Sequence, residues 1–224
     1  MNSSINSPEN NDNREYDYTL FPDEERPEYG RIIRMVETHS KVIDLGCGSG
    51  VLLEKLKSEK QTKGFGVELA ESGVTICRQK GLEVTQGNID ARLPFEDDAF
   101  DYAICNVTIQ MVRFPEILLN EMKRIARYQI ISFPNFGFYK NRMELLFSGR
   151  MPRKMLFGYN WFSTGHIHQF SVRDFKEFIK ISGGLKIIKA DYAETTSVIK
   201  NKIIGICPNL FSVVSVFLLE KIND

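Results

Sequence analysis

The sequence predicts an α/β fold, a doubly wound Rossmann-like sheet whose mainly parallel strands are covered by helices on both faces. The first observation is the segment 41–50, which reads K-V-I-D-L-G-C-G-S-G and joins a short apolar run to closely spaced glycines. The second is the helical spacing of apolar residues that begins at Val51. Strand, glycine turn and helix in this order form the first crossover of such a sheet, and ligands bind there at the carboxyl ends of the strands.

The glycine turn differs from the fingerprint of dinucleotide-binding proteins. Its glycines follow one another as G-x-G-x-G, whereas the fingerprint has a third glycine at the position that Val51 takes here. Asp44 ends the strand, so its charge disfavours a pyrophosphate and favours a cationic sulfonium ligand. The turn resembles motif I of the class I S-adenosyl-L-methionine (SAM) methyltransferases. The resemblance implies that SAM is bound by Asp44, Gly46, Cys47, Gly48 and Gly50. An ordinary glycine turn without a ligand is the alternative.

Length and composition favour one globular domain without a charged partner. The chain has 224 residues, of which 29 are basic and 29 acidic, so charge does not favour nucleic acid or an anionic membrane. Its four cysteines are scattered, which is typical of reduced thiols and predicts neither a disulfide nor a metal site. Residues 1–15 are polar and are expected to be a disordered tail before a single domain at 16–224, and the location is expected to be cytoplasmic.

The second and third strands continue the pattern. A helix over 28–38 leads into the first strand, and residues 63–68 form a second strand that ends in Glu68. An acid at this place can accept hydrogen bonds from both ribose hydroxyls, in NAD-binding and SAM-binding domains alike. A helix over 71–80 and a third strand over 83–86 follow. By resemblance to the methyltransferases, Leu69 lies beside the nucleoside, the Asn88 carbonyl accepts from the adenine amine, and Ile89 covers the adenine ring.

The middle of the chain supplies the fourth and fifth strands. The loop L-P-F-E-D-D-A-F-D at 93–101 precedes a strand over 102–105, which ends at Asn106 and faces the crevice where methyl donor and acceptor would meet. Apolar residues at helical spacing then predict one buried helix face. This face consists of Phe114, Ile117, Leu118, Met122 and Ile125. A fifth strand is predicted over 128–133.

Beyond the fifth strand, a series of motifs resembles the MetW family of methionine biosynthesis proteins. The motifs are S-F-P-N-F-G at 132–137, G-R-M-P at 149–152, Y-N-W at 159–161, H-I-H at 166–168 and V-R-D-F at 172–175. The resemblance covers about residues 26–188. It implies a seven-stranded methyltransferase fold with an antiparallel last strand and a partnership with homoserine O-acetyltransferase (MetX).

The C-terminal part contains a helix and two strands. Ser171 and Asp174 form a capping box for a helix with Val172, Phe175, Phe178 and Ile179 on its inner face, and Gly183-Gly184 ends it. Two apolar runs at 185–189 and 211–220 supply the sixth and seventh strands.

Residues 134–170 form an aromatic-rich cap that could enclose an acceptor, dock a partner or belong to the core. Asn135 and His168 are weak candidates for catalysis within it, and His168 falls on the histidine that the family has at this place. His166 and His168 alone do not predict a metal site.

Three hypotheses remain at this stage. The first is a SAM-dependent methyltransferase acting on a small molecule, with S-adenosylhomocysteine as its product. The second is a SAM-binding partner of homoserine O-acetyltransferase in which chemistry need not occur. The third is a nicotinamide-dependent oxidoreductase, which the glycine spacing and Asp44 disfavour. Methyl transfer from a sulfonium mainly requires alignment of the reactants, so a missing nucleophile–base pair does not exclude the first hypothesis.

Overall fold

The chain folds around one mixed β-sheet. The computed structural model describes residues 18–20, 23, 25–152, 161, 165–193 and 204–222. The strands are β1 (Lys41–Leu45), β2 (Lys63–Glu68), β3 (Glu83–Gln86), β4 (Phe100–Asn106), β5 (Ala126–Pro134), β6 (Leu185–Ala193) and β7 (Val214–Lys221). Their order in the sheet is β3-β2-β1-β4-β5-β7-β6. Strands β1 to β5 are parallel, and β7 runs antiparallel to both of its neighbours. The predicted fold class is therefore confirmed.

Helices connect the parallel strands. They are α1 (Tyr29–Ile33), α2 (Val51–Lys60), α3 (Glu71–Gln79), α4 (Pro115–Ile125), α5 (Tyr139–Ser148), α6 (Val172–Ser182) and α7 (Pro208–Phe211), with 3-10 turns at Tyr18–Leu20 and Ile109–Met111. Within the described ranges, no helix is long and apolar enough to cross a membrane. The predicted tail at 1–15 lies outside the described residues.

The sheet separates two apolar cores because side chains alternate between its faces. On one face, Ile43 and Leu45 belong to the core that α4 and α6 complete. On the other face, Val42 packs with residues of α1 and α2. The β1 residues 42–45 are all buried, which explains why the strand reads as a continuous apolar run with a single acid.

The predicted inner face of α4 is partly wrong. Phe114 and Ile117 are exposed, whereas the buried residues of this helix are Leu118, Leu119, Met122 and Ile125. The helix begins only at Pro115, so Phe114 is its N-cap and has non-helical backbone angles. Leu118, Met122 and Ile125 are buried as expected, and Leu119 takes the place that the pattern assigned to Ile117.

Strand β7 begins later than predicted. Pro208–Phe211 forms the short helix α7, and β7 starts at Val214. Proline favours the first turn of a helix because its φ is already helical and its missing N–H is not needed there.

The capping box of α6 is confirmed. The Ser171 hydroxyl accepts a hydrogen bond from the Asp174 amide, and the Asp174 carboxylate accepts one from the Ser171 amide. The helix ends at Gly183, which has a φ of 64°. Residues of α6 complete the larger core, so this cap contributes to the stability of the whole sheet.

We expect Ser171→Ala to lower the free energy of unfolding by about 1 kcal/mol, because the first turn of α6 loses a side-chain cap. Urea denaturation measures this difference. Ser58→Ala is the control, since Ser58 is exposed within α2 and its hydroxyl bonds only to the Lys55 carbonyl. An equal loss in both variants would contradict the capping role.

Candidate functional site

The turn between β1 and α2 has a backbone that requires glycine. Gly46, Gly48 and Gly50 have φ values of 83°, 57° and 78°, in the left-handed region that residues with a Cβ rarely adopt. A Cβ at Gly48 would lie 3.0 Å from Cε1 of Tyr18. The glycines therefore allow a close approach to the backbone in the crevice at the carboxyl end of β1.

Glu68 holds this turn in place. Its Oε2 accepts a hydrogen bond of 2.8 Å from the Gly48 amide, and its Oε1 accepts one of 2.8 Å from the Ala70 amide. The Val67 carbonyl of the same strand accepts from the Gly46 amide at 2.8 Å. Strand β2 thus fixes the conformation of the turn that follows β1, a role for Glu68 that the sequence pattern did not reveal.

Asp44 is a buried carboxylate with an unused oxygen. Its side chain is only 2% exposed, and within the described part of the chain Oδ1 has no hydrogen-bond partner. The pKa of Asp44 is raised to about 7, chiefly by burial and also by the nearby charge of Glu68, while Arg26 acts in the opposite direction. A buried polar atom without a partner is costly. Contact with a cation would favour the ionised form of Asp44.

The crevice brings most of the predicted turn residues together. Asp44, Gly46, Cys47, Gly48 and Asn106 line one cavity of about 60 Å³. The cavity is also lined by residues that the sequence analysis did not name as cofactor-binding, and they are Tyr18, Arg26, Tyr29, Ser49, Val107, Thr108 and Met111. The first three precede β1, where the aromatic and acidic composition of residues 16–29 was the available signal.

The predicted nucleoside-contacting residues lie at the ends of β2 and β3. Leu69 is exposed beside the buried Glu68. Asn88 is exposed, and its Oδ1 accepts a hydrogen bond of 2.8 Å from the Asp90 amide, which shapes the loop. Ile89 is buried in the core that α4 completes. Parallel β2 and β3 place these residues on the edge of the sheet where the glycine turn lies.

The end of β4 carries a polar chain and a strained residue. Asn106 donates from Nδ2 to Glu28 at 3.3 Å, and its Oδ1 accepts from the Ser132 hydroxyl at 2.5 Å. Val107 has a φ of 50°, an unfavourable conformation for a β-branched residue, and its amide donates to Ser132 at 2.9 Å. Strain of this kind is concentrated at functional sites, and here it occurs in the wall of the cavity.

Asn135 connects three segments of the fold. Its side chain is fully buried, and its Nδ2 donates to the Ser212 carbonyl at 2.9 Å. Its Oδ1 accepts from the amides of Gly137 and Val172. Because these bonds join the end of β5 to α6 and to the start of β7, Asn135 positions the backbone. It does not line the cavity around Asp44.

His168 lies next to the 3-10 turn at Ile109–Met111. Its amide donates to the Gln110 carbonyl at 3.0 Å, and its buried Nε2 has no partner among the described residues. His166 is buried. Neither histidine lines the cavity.

The described aromatic residues of the predicted cap differ in burial. Phe138 is buried and Trp161 is exposed, while Tyr159 and Phe162 lie outside the described residues.

Comparisons with known sequences identify one family. The family model "Methionine biosynthesis protein MetW" matches residues 26–219. A bifunctional methionine biosynthesis protein MetXA/MetW from Rhodopirellula baltica is 35% identical over 173 residues, which is 73% of this chain. The chain spans about a quarter of that relative, 27% of its length.

Solved structures show the same fold. A SAM-dependent methyltransferase from Aquifex aeolicus matches with a TM-score of 0.61 and 14% identity, over 93% of this chain and all of the other. The [4+2]-cyclase SpnF also matches with a TM-score of 0.61, at 12% identity, over 87% of this chain and 81% of the other. Identities this low establish the fold and not the reaction.

The raised pKa of Asp44 predicts that stability falls as pH rises. The folded protein holds a proton up to about pH 7 that the unfolded chain releases near 3.8, so the folded state binds more protons between these values. The free energy of unfolding should therefore fall by about 2–3 kcal/mol more in the wild type than in Asp44→Asn between pH 5 and 8. Urea denaturation at both pH values measures this difference. Identical pH profiles would show that Asp44 ionises normally.

Proposed function

Because the chain belongs to the MetW family of methionine biosynthesis proteins, we propose that it binds SAM at the glycine turn and acts with homoserine O-acetyltransferase. One observation carries the cofactor proposal. The left-handed glycine turn lies beside the buried Asp44 carboxylate, whose Oδ1 has no partner in the described ranges. A site of this kind fits a ligand that approaches the backbone closely and brings positive charge.

The charges of the crevice match those of the methionyl part of SAM. Asp44 would face the ammonium or sulfonium cation, and Arg26, which lines the same cavity, would bind the carboxylate. When bound, SAM supplies an activated methyl group. S-adenosylhomocysteine keeps the ammonium and carboxylate groups and should also bind. A pyrophosphate would meet the carboxylates of Asp44 and Glu68 instead, so NAD is disfavoured.

The adenosine part would lie along the ends of β2 and β3. Each Glu68 oxygen accepts from a backbone amide, of Gly48 and Ala70, and a carboxylate at this place can also accept hydrogen bonds from ribose hydroxyls. Leu69, Asn88 and Ile89 are the residues proposed around the adenine ring. In this arrangement Glu68 holds the turn and the ribose at the same time.

Tyr18 must move for SAM to enter. The cavity of about 60 Å³ is far smaller than typical ligand pockets, which measure roughly 300–1,000 Å³. The ring of Tyr18 lies against the position that a Cβ of Gly48 would take, and its amide donates to the Ser72 hydroxyl at 3.3 Å. We infer that Tyr18 occupies space that the cofactor takes when it binds.

The partner proposal rests on the relative in which MetXA and MetW form one polypeptide. Helix α5 offers a surface for such a partner, because Leu145, Leu146 and Phe147 are exposed on it and Met151, three residues after its end, is exposed as well. Contiguous exposed apolar residues are typical of protein–protein contacts. We propose that this α5 surface contacts homoserine O-acetyltransferase.

Catalytic methyl transfer to a small molecule is the second candidate function. The cavity extends from the glycine turn to Tyr29 and Met111, and the polar chain of Asn106 and Glu28 borders it, so an acceptor has a place beside the cofactor. Asn135 and His168 remain untested candidates for catalysis. The cyclase SpnF illustrates that this fold also accommodates other reactions.

We expect Gly48→Ala to weaken SAM binding by about tenfold or more, because its Cβ meets the crevice at Tyr18 and the left-handed backbone is strained. Isothermal titration calorimetry measures the affinity. Gly81→Ala is the matched control, since Gly81 has a φ of 69° and nothing lies within 4 Å of its Cβ. Both variants should lose about 1–2 kcal/mol of stability from backbone strain. Normal SAM affinity in Gly48→Ala would show that the turn is not the cofactor site.

We expect Leu146→Asp to weaken the complex with homoserine O-acetyltransferase, because a charge is placed in an apolar contact. Co-purification of the two proteins measures association. Ile181→Asp is the control, since Leu146 is 73% and Ile181 77% exposed. Ile181 lies at the C-terminal end of α6, whereas the N-terminal end of this helix bonds to Asn135, just before α5. Equal retention of the acyltransferase by the wild type and both variants would exclude the α5 surface as the contact.

A further inference from the structure

The glycine turn and α3 bring two thiols together. Cys47 lies in the turn and Cys77 in α3, and their sulfur atoms are 4.0 Å apart. The two side chains are 8% and 0% exposed. The fold thus brings together two cysteines that are 30 positions apart in the chain.

Two glycines create the space in which these sulfurs face each other. A Cβ at Gly66 would lie 2.6 Å from the Cys47 sulfur, and a Cβ at Gly50 would lie 2.9 Å from the Cys77 sulfur. Leu53 packs with both cysteines in a small apolar cluster. Packing therefore holds the two thiols in contact, and a disulfide between them requires the sulfur atoms to approach by about a further 2 Å.

The pair is also connected to the cofactor crevice. Cys47 lines the cavity beside Asp44 and is 8% exposed, whereas Cys77 is 0% exposed, so an oxidant in the crevice meets Cys47 first. Cys77 lies behind it and donates a hydrogen bond of 3.3 Å to the Gly48 carbonyl. The conformation of the turn thus depends in part on the reduced Cys77 thiol.

We propose that Cys47 and Cys77 form an oxidisable dithiol that a hydroperoxide converts to a disulfide, which disables the glycine turn. Cys47 first attacks the peroxide, giving a sulfenic acid and releasing water or the corresponding alcohol. The Cys77 thiolate then attacks the Cys47 sulfur, the S–S bond forms, and a second water leaves with the remaining proton. The Cys77 bond to the Gly48 carbonyl is lost, and the turn is drawn towards α3.

The order of these steps follows from the different surroundings of the two cysteine side chains. The hydrogen bond between the thiols lowers the pKa of Cys77, whereas the same bond and burial raise the pKa of Cys47. Cys77 is therefore the thiolate that attacks in the second step. The first step, at the accessible but less acidic Cys47, sets the rate.

The test uses the full chain carrying Cys207→Ser, which removes the exposed thiol and hence disulfides between molecules through it. After treatment with hydrogen peroxide, mass spectrometry should show the loss of two hydrogen atoms and a peptide that links Cys47 to Cys77. Dithiothreitol should reverse both changes. Oxidation that adds only oxygen, or that links Cys105, would overturn the proposal.

The effect on cofactor binding rests on the proposed function and is measured separately. Calorimetry should show that peroxide weakens SAM binding by about tenfold or more and that dithiothreitol restores it. The variant with Cys47→Ser added should form no disulfide and keep its own SAM affinity after peroxide. Unchanged affinity despite a complete disulfide would overturn the effect on the turn. Failure of the reduced protein to bind SAM would instead contradict the proposed function. In that case the peptide that links Cys47 to Cys77 would still show whether the two thiols form a disulfide.

Discussion

The site depends on the left-handed backbone of the glycine turn and on the carboxylate that fixes it. Positive φ values at three alternate residues, Gly46, Gly48 and Gly50, turn the chain sharply between β1 and α2, and the Gly48 amide points at the end of β2. Glu68 accepts that amide and, through its other oxygen, the amide of Ala70. A loop that would otherwise sample many conformations is held by a charge-assisted bond from the neighbouring strand.

This arrangement places two carboxylates near each other in a poorly solvated crevice. Glu68 is satisfied by backbone amides, whereas Asp44 has an oxygen without a partner in the described part of the chain and a pKa raised to about 7. The unbalanced negative potential is partly offset by Arg26. A cationic ligand would neutralise the remaining negative charge, and this is the electrostatic basis of the proposed preference for SAM.

The wall of the cavity at the end of β4 and the exposed surface of α5 are held by different interactions. Asn106, Ser132 and Glu28 form a buried polar chain that holds the end of β4 next to the cavity. Asn135 uses its amide to join β5 to α6, leaving α5 with an exposed apolar surface. The proposed cofactor site and the proposed partner surface are therefore formed by different residues, so mutations can test each proposal separately. A MetW-family protein that binds SAM on one edge and an acyltransferase on α5 would use these separate regions.

The sequence by itself determined the fold class, the position of the glycine turn and most strand limits, because glycine spacing and apolar runs are local patterns. It also placed Asp44, Gly48 and Asn106 in one crevice, since the carboxyl ends of parallel strands share an edge. It predicted the buried face of α4 only in part. Phe114 precedes the first turn, which begins at Pro115, and Leu119 is buried although the pattern did not include it.

Only the tertiary structure showed that Glu68 holds the turn, that Tyr18 and Arg26 enter the cavity, and that Cys47 faces Cys77. These contacts join residues that are distant in the chain. Their geometry depends on how strands and helices pack, and no local pattern records that.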